Sequence, residues 1–241
     1  MEVLKKKAAL ITGGARRIGA EIAMGLAAEG YDIAIHYNSS ENEAIETQKK
    51  VKSSGRECAI FKGDLRDIHF VNELVMVAFS TYPHLNVLVN SASVFRRAEI
   101  KDTAVRDFDE LMSVNFRAPF FLIKEFARLC SGGNIVNILD TKTARHQNTY
   151  TAYSISRTAL LELTRFAAVE FAPKIRSNGI CPGFILPGAG ENEAYTKRLE
   201  SKIPLGKKGK PGNIVETVKF LLKNDFITGE IIYVDGGENI K

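Results

Sequence analysis

The run Thr12-Gly13-Gly14-Ala15-Arg16-Arg17-Ile18-Gly19 has the residue types and spacing to hold an anion. Apolar residues before it (Ala8 to Ile11) predict a buried strand, and Ala20 to Ala28 carry apolar residues at helical spacing. A glycine-bearing turn that ends on a helix N-terminus aims free main-chain N–H groups and the positive end of the helix dipole at one point, where a pyrophosphate can sit. Arg16 and Arg17 add charge for a further anionic group. A tight structural turn is the other reading of these glycines.

The elements that must position these groups alternate along the chain. Strands are expected near 7–12, 31–37, 56–61, 86–90, 133–138, 175–181 and 230–234, several of them fully apolar, as strands covered on both faces should be. Helices are expected near 17–29, 41–54, 67–81, 104–130, 151–172, 192–202 and 212–223, with glycine or proline at most junctions. Repeated strand–helix order implies an α/β fold: a Rossmann-like, doubly wound parallel sheet of about seven strands, with helices on both faces, in one domain spanning 1–241. Residues 183–203 lack strand character, start at Pro182-Gly183 and contain Gly188-Ala189-Gly190. They form a candidate mobile lid.

Bulk properties exclude several classes. The 241 residues, 45% hydrophobic and 25% charged, suit a soluble domain with a substantial core. No apolar run approaches bilayer length, so no membrane association is expected. The charged start Met1-Glu2-Val3-Leu4-Lys5-Lys6-Lys7 runs straight into the first strand, which argues against a signal peptide and for a cytoplasmic protein. Cys58, Cys130 and Cys181 are scattered, and read as reduced and mostly buried; the histidines have no metal-binding spacing. Net charge is +5 and the pI about 9.0, but the basic residues are dispersed among acids. Lys207-Lys208-Gly209-Lys210 reads as a solvated loop, so no nucleic-acid partner is expected; an anionic cofactor accounts for the charge equally well.

The chain resembles the short-chain dehydrogenase/reductase family. Thr12, Gly13 and Gly19 match its TGxxxGxG turn, with Arg17 at the middle glycine. Gly63-Asp64-Leu65 follows the third strand, where the family contacts adenine, and Leu88-Val89-Asn90-Ser91-Ala92 is similar to its NNAG motif. Asn115 in Ser113-Val114-Asn115-Phe116, Tyr153 at the head of a YxxxK-like motif, Pro182-Gly183, Thr228-Gly229 and Val234-Asp235-Gly236-Gly237 follow in order. The resemblance covers nearly the whole chain. It implies a nicotinamide dinucleotide site made of Gly13, Arg16, Arg17, Ile18, Gly19, Tyr37, Asn38, Ser39, Ser40, Asp64, Leu65, Asn90, Ser91, Ala92, Tyr153, Arg157, Pro182 and Gly183. NAD-users end the second strand with an acid that bonds the ribose. Here the strand ends His36-Tyr37-Asn38-Ser39-Ser40, with no acid before Glu41, so NADP(H) is expected, with Arg17 across the same crevice. Ser39-Ser40 also read as an N-cap of the next helix.

Family members carry a Ser–Tyr–Lys set in which the tyrosine hydroxyl moves the substrate's proton, its pKa drawn toward neutrality. Tyr153 matches; a buried structural tyrosine is the bland alternative. The serine's place, thirteen positions earlier, is Asp140. Pteridine reductases use aspartate there, carry arginine at the position of Arg17, and place an aromatic platform at the offset of Phe95; His36-Tyr37 is also similar to theirs. This branch implies a flat pterin stacked on Phe95, oriented by Arg17, and protonated by Tyr153 and, through water, by Asp140. Core packing for Phe95 and a surface loop for Asp140 are the rival readings. Arg157 replaces the lysine: it keeps the charge and can bond ribose, but cannot pass on a proton. Lys142 reads as an exposed loop lysine, or as partial compensation. Asn115 matches the residue that holds a water in the proton path; otherwise it is a polar residue interrupting a helix. A carbonyl reductase of the 3-oxoacyl-carrier-protein or small-ketone type is the first alternative, and an NADPH-binding protein with weak catalysis the second. The helices 104–130 and 151–172 imply a homodimer or homotetramer.

Overall fold

The computed structural model describes residues 6–144, 148–187 and 192–241. Strands β1 (Lys7–Thr12), β2 (Tyr31–Tyr37), β3 (Cys58–Lys62), β4 (Leu85–Asn90), β5 (Gly133–Ile138), β6 (Ile175–Pro182) and β7 (Ile231–Val234) form one parallel sheet in the order β3-β2-β1-β4-β5-β6-β7. Helices α1 (Arg17–Ala28), α2 (Glu41–Ser53), α3 (Ile68–Thr81), α4 (Val105–Met112), α5 (Ala118–Leu129), α6 (Thr151–Glu170), α7 (Glu193–Glu200) and α8 (Pro211–Lys223) cover it.

Alternate residues of β1 show why the strands read as continuous apolar runs. Ala9 and Ile11 enter a core with Ile22 and Leu26 of α1 and Val215 and Val218 of α8. Ala8 and Leu10 enter the opposite core, with Val71 and Leu74 of α3 and Leu122 and Phe126 of α5. Burying both faces removes any polar alternation. The strand order reverses between β1 and β4, so the crevice beyond Thr12 and Asn90 is the switch point where such sheets bind ligands. A buried polar chain crosses behind it. Asn90 Nδ2 donates to Asn137 Oδ1, Asn137 Nδ2 to Thr164 Oγ1, and Thr164 Oγ1 to the Leu160 carbonyl, each at 2.8 Å.

The helix expected over 104–130 is divided. A π-helical turn, Ser113–Arg117, separates α4 from α5. Such turns occur at functional sites because they redirect a side chain; this one holds the fully buried Asn115. β3 starts at Cys58 rather than 56, because Arg56 and the Glu57 N–H both bind the buried Asp32 carboxylate, at 2.6 and 3.1 Å. In the candidate lid, 188–191 lie outside the described residues, as do Met1–Lys5. α7 contributes no buried side chain, whereas Ile185 and Ile203 on either side are buried. All three cysteines are buried and unpaired; burial pushes Cys58 up to about 12 and Cys181 up to about 11. No helix among the described residues is long and apolar enough to cross a membrane.

Candidate active site

The turn after β1 is packed main chain on main chain. Gly13 has φ +64°, and a Cβ there would lie 2.8 Å from Ala92 Cα. A Cβ on Gly19 would overlap the Gly13 carbonyl. Thr12 Oγ1 accepts from the N–H groups of Ser91 and Ala92, at 3.1 and 3.2 Å, which fixes the segment after β4 against the turn. Arg17 adopts φ +55°, a left-handed conformation that is uncommon outside glycine. Its guanidinium donates to the carbonyls of Leu186, at 3.3 Å, and Pro187, at 3.2 Å, tying the turn to the segment after β6. The first turn of α1 has no acidic residue, and no described side chain caps it at Arg16, which is exposed. Ile18 is half-buried beside it.

His36 joins this turn to the loop after β3. Its Nδ1 accepts from the Gly13 N–H at 3.4 Å, and its Nε2 lies 3.1 Å from the Gly63 carbonyl. Burial pushes its pKa down to about 4, so the ring is neutral at physiological pH. Next to it Tyr37 is buried, Asn38 and Ser39 are exposed, and Ser40 is partly exposed. Ser40 stands at the N-cap of α2, but its side chain makes no capping bond. Ser40 thus takes the expected N-cap position through its main chain alone, its carbonyl accepting from the Ala44 N–H at 3.0 Å. The first acid beyond, Glu41, is ion-paired with Lys62 at 2.9 Å. Asp64 is bound bidentately by Arg66, whose guanidinium holds its carboxyl below the usual range, and Leu65 is buried in the core. Gly183 packs on Asp235, where a Cβ would come within 2.5 Å, and follows Pro182 at the end of β6. These features fit a dinucleotide: glycines without room for Cβ, an uncapped helix start and an end of β2 free of unpaired carboxylate. Among the described residues no group of His, Cys, Asp and Glu suits a metal ion.

At the other end of the crevice, the Tyr153 hydroxyl donates to Asp140 Oδ2 at 2.8 Å. Asp140 Oδ1 accepts from the Lys142 N–H at 2.8 Å, with the Lys142 ammonium 3.7 Å away. Arg157, 2% exposed, donates to the Ile138 carbonyl at 3.3 Å and lies over the Tyr153 ring, its carbon 5.6 Å from the centroid. Its Nε has no partner among the described residues. The Tyr153 pKa is raised, chiefly by burial at 4% exposure and also by Asp140, while the Arg157 charge pulls it down. The group is a phenol, poised to donate.

Phe95 is 47% exposed, with its ring 4.7 Å from Tyr153, edge to face, and 5.0 Å from Tyr150. The Lys142 ammonium lies 5.7 Å from the Phe95 centroid and 5.4 Å from that of Tyr150. Lys142 is therefore no free loop lysine. Asn115 reaches the same region from the π turn. Its Nδ2 donates to the Val94 carbonyl and its Oδ1 accepts from the Val94 N–H, both at 2.9 Å, and Nδ2 also donates to Ser156 Oγ at 3.1 Å. The structure thus brings Asp140, Tyr153, Arg157, Phe95 and, through Val94, Asn115 to one place. Arg17 faces residues 186–187. Tyr150 and the contacts of His36 were missed: Tyr150 precedes its helix, outside any periodic signal, and the His36 bonds span 23 and 27 positions.

A family model described as Enoyl-(Acyl carrier protein) reductase matches residues 13–239. The chain belongs to the short-chain dehydrogenase/reductase family. It is an oxidoreductase of that family. It is 34% identical over 245 aligned positions to an uncharacterized oxidoreductase of Thermotoga maritima, covering 96% of each. It is 30% identical over 240 positions to the 3-oxoacyl-[acyl-carrier-protein] reductase FabG of Staphylococcus aureus, covering 96% of this chain and 97% of that one. Its fold is similar to that of FolM Alternative dihydrofolate reductase 1 from Brucella suis, solved in complex with NADP. That match has a TM-score of 0.90 and 31% identity, and covers 98% and 96% of the two chains.

Proposed function

We propose that this oxidoreductase uses NADP(H) to reduce a C=N bond of a pterin, of the dihydropteridine or dihydrofolate kind. The observation that carries the reading is the 2.8 Å hydrogen bond from the Tyr153 hydroxyl to Asp140, where relatives with carbonyl substrates carry a serine, with the exposed Phe95 ring against Tyr153. Similarity to an NADP-bound dihydrofolate reductase supports it.

Gly13, Arg16, Ile18 and Gly19 would hold the pyrophosphate of the dinucleotide. Arg17 with Tyr37, Asn38, Ser39 and Ser40 would hold its phosphorylated ribose, where the pairing of Glu41 with Lys62 limits repulsion of a phosphate. Asp64 and Leu65 would border the adenine. Asn90, Ser91, Ala92, Arg157, Pro182 and Gly183 would flank the nicotinamide end. When bound, NADPH supplies the hydride that reduces a ring carbon. Tyr153 gives its proton to the adjacent ring nitrogen, which suits a phenol held protonated at neutral pH. Asp140, partly exposed, reloads the site with a second proton through water. Phe95 stacks on the flat ring. Asn115 holds Val94, and with it the Phe95 platform. The exposed Phe108 of α4, Phe120 of α5, and Ile155 and Phe166 of α6 support self-association through these helices, as a dimer or tetramer. A cytoplasmic setting fits the three free cysteines.

A second reading, reduction of a 3-oxoacyl or small ketone, is favoured by the likeness to FabG. It is disfavoured by Asp140, since a developing oxyanion prefers a neutral donor to a neighbouring carboxylate. Mixing the protein and NADPH with dihydrobiopterin, dihydromonapterin or dihydrofolate, and in parallel with a 3-oxoacyl thioester, decides between them. Loss of nicotinamide absorbance with a pterin is expected. Turnover of the ketone alone rejects the pterin.

A further inference from the structure

We propose that His36 is a positioning residue of the cofactor site: its imidazole, held as the Nε2–H tautomer, clips the Gly13 N–H to the Gly63 carbonyl, so that the phosphate turn and the adenine-side loop form one unit. This rests on the NADP(H) reading above and adds a residue to which that reading gives no contact with the dinucleotide.

The tautomer follows from the partners. The Gly13 N–H can only donate, so the Nδ1 facing it, at 3.4 Å, must be bare. The Gly63 carbonyl can only accept, so Nε2, at 3.1 Å, must carry the hydrogen. The ring is 2% exposed and packs on Phe70, centroid to centroid at 5.6 Å, which leaves no competing water-exposed arrangement. Both partners are glycines in confined places. Gly13 is pressed on Ala92, and a Cβ on Gly63 would collide with the Phe70 ring.

The main chain of the same strand end already ties the two segments down. Gly14 N–H donates to the His36 carbonyl at 3.1 Å, and Gly63 N–H to the Tyr37 carbonyl at 3.0 Å. Those bonds survive when the imidazole is removed. Its loss should therefore leave the fold in place and free the orientation of Gly13, where a phosphate would bind, and of Gly63, which leads into Asp64 and Leu65. Neither role uses the ring as an acid or base.

Nitrogen–proton correlation spectra of the histidine rings in the cofactor-free wild type should show His36 with a protonated Nε2 and a bare Nδ1. The opposite tautomer overturns the clip, and this arm needs no variant to fold. In the second arm, NADPH affinity is read by fluorescence titration. His36→Leu is expected to weaken NADPH about tenfold, in line with two neutral hydrogen bonds lost. His36→Asn, which can still accept from Gly13, and His36→Gln, which can still donate to Gly63, should each recover part of the affinity. Folded variants that all bind within twofold of the wild type overturn the proposal. A wild type that fails to bind NADPH overturns the cofactor reading, whereas a wrong tautomer in a chain that binds NADPH well overturns the clip alone.

Discussion

Asn115→Leu keeps the side-chain volume and deletes three hydrogen bonds: two to the main chain of Val94, each 2.9 Å, and one to Ser156 Oγ, 3.1 Å. Each bond contributes about 1 kcal/mol net, and each stranded buried polar group costs about 1–3 kcal/mol more. The loss should come to about 4 kcal/mol, a large part of the ~5–15 kcal/mol that holds a domain together. Urea unfolding of Asn115→Leu, Ser156→Ala and the double variant separates the terms. The double variant should fall short of additivity by about 1 kcal/mol, the share of the Asn115–Ser156 bond. Because Val94 precedes the Phe95 platform, surviving Asn115→Leu enzyme should show a raised KM for its substrate with NADPH affinity little changed. A midpoint equal to the wild type's, with KM unmoved, would refute the assignment of Asn115 as the anchor of this loop.

Tyr153→Phe should cut turnover by about 10²–10⁴-fold, far more than it weakens NADPH binding, since the proton donor is lost; equal activity would remove Tyr153 from the chemistry. Gly13→Ala must hold φ +64° and place a methyl 2.8 Å from Ala92 Cα, so it should cost about 2 kcal/mol or more and abolish NADPH binding, as calorimetry can show. Arg157→Lys loses the bond to the Ile138 carbonyl and should destabilise by about 1 kcal/mol without a large gain in turnover. A large gain would mean that Arg157 restrains the native enzyme to weak catalysis. His36 has its folded pKa pushed down from 6.5 to about 4, so the unfolded chain binds the extra proton in that interval. Its contribution to stability is present above pH 6.5 and fades as the pH falls toward 4, by about 3 kcal/mol in all. In acid unfolding series, His36→Gln should flatten that slope.

Much of the fold was legible because parallel strands buried on both faces leave short unbroken apolar runs. β1, β2 and β5 begin and end at the expected 7–12, 31–37 and 133–138, each built on a short apolar stretch. The break in 104–130 was not legible, since a π turn inserts a residue without interrupting the apolar pattern that carries the helix signal. In the site, Gly13, Gly19, Asp140 and Tyr153 were readable from motif spacing. The contact between the last two needed β5 and α6 to be laid side by side. Tertiary partners decided the rest. Arg17 meets carbonyls some 170 positions away. Lys142 sits over aromatic rings rather than in solvent. The direction of the Tyr153 pKa depends on burial, which one-dimensional spacing does not reveal.

The amide chain from Asn90 through Asn137 to Thr164 has a consequence for assembly of the sheet. Between their asparagines β4 and β5 are apolar, and solvent avoidance tells them to lie together but not which residue should face which. Sliding one strand along the other by a single step would keep most of the oil buried yet part the Asn137 amide oxygen from the Asn90 donor that faces it in register. Three polar side chains thus act as an alignment key, penalising misthreaded intermediates that the surrounding hydrophobes would tolerate.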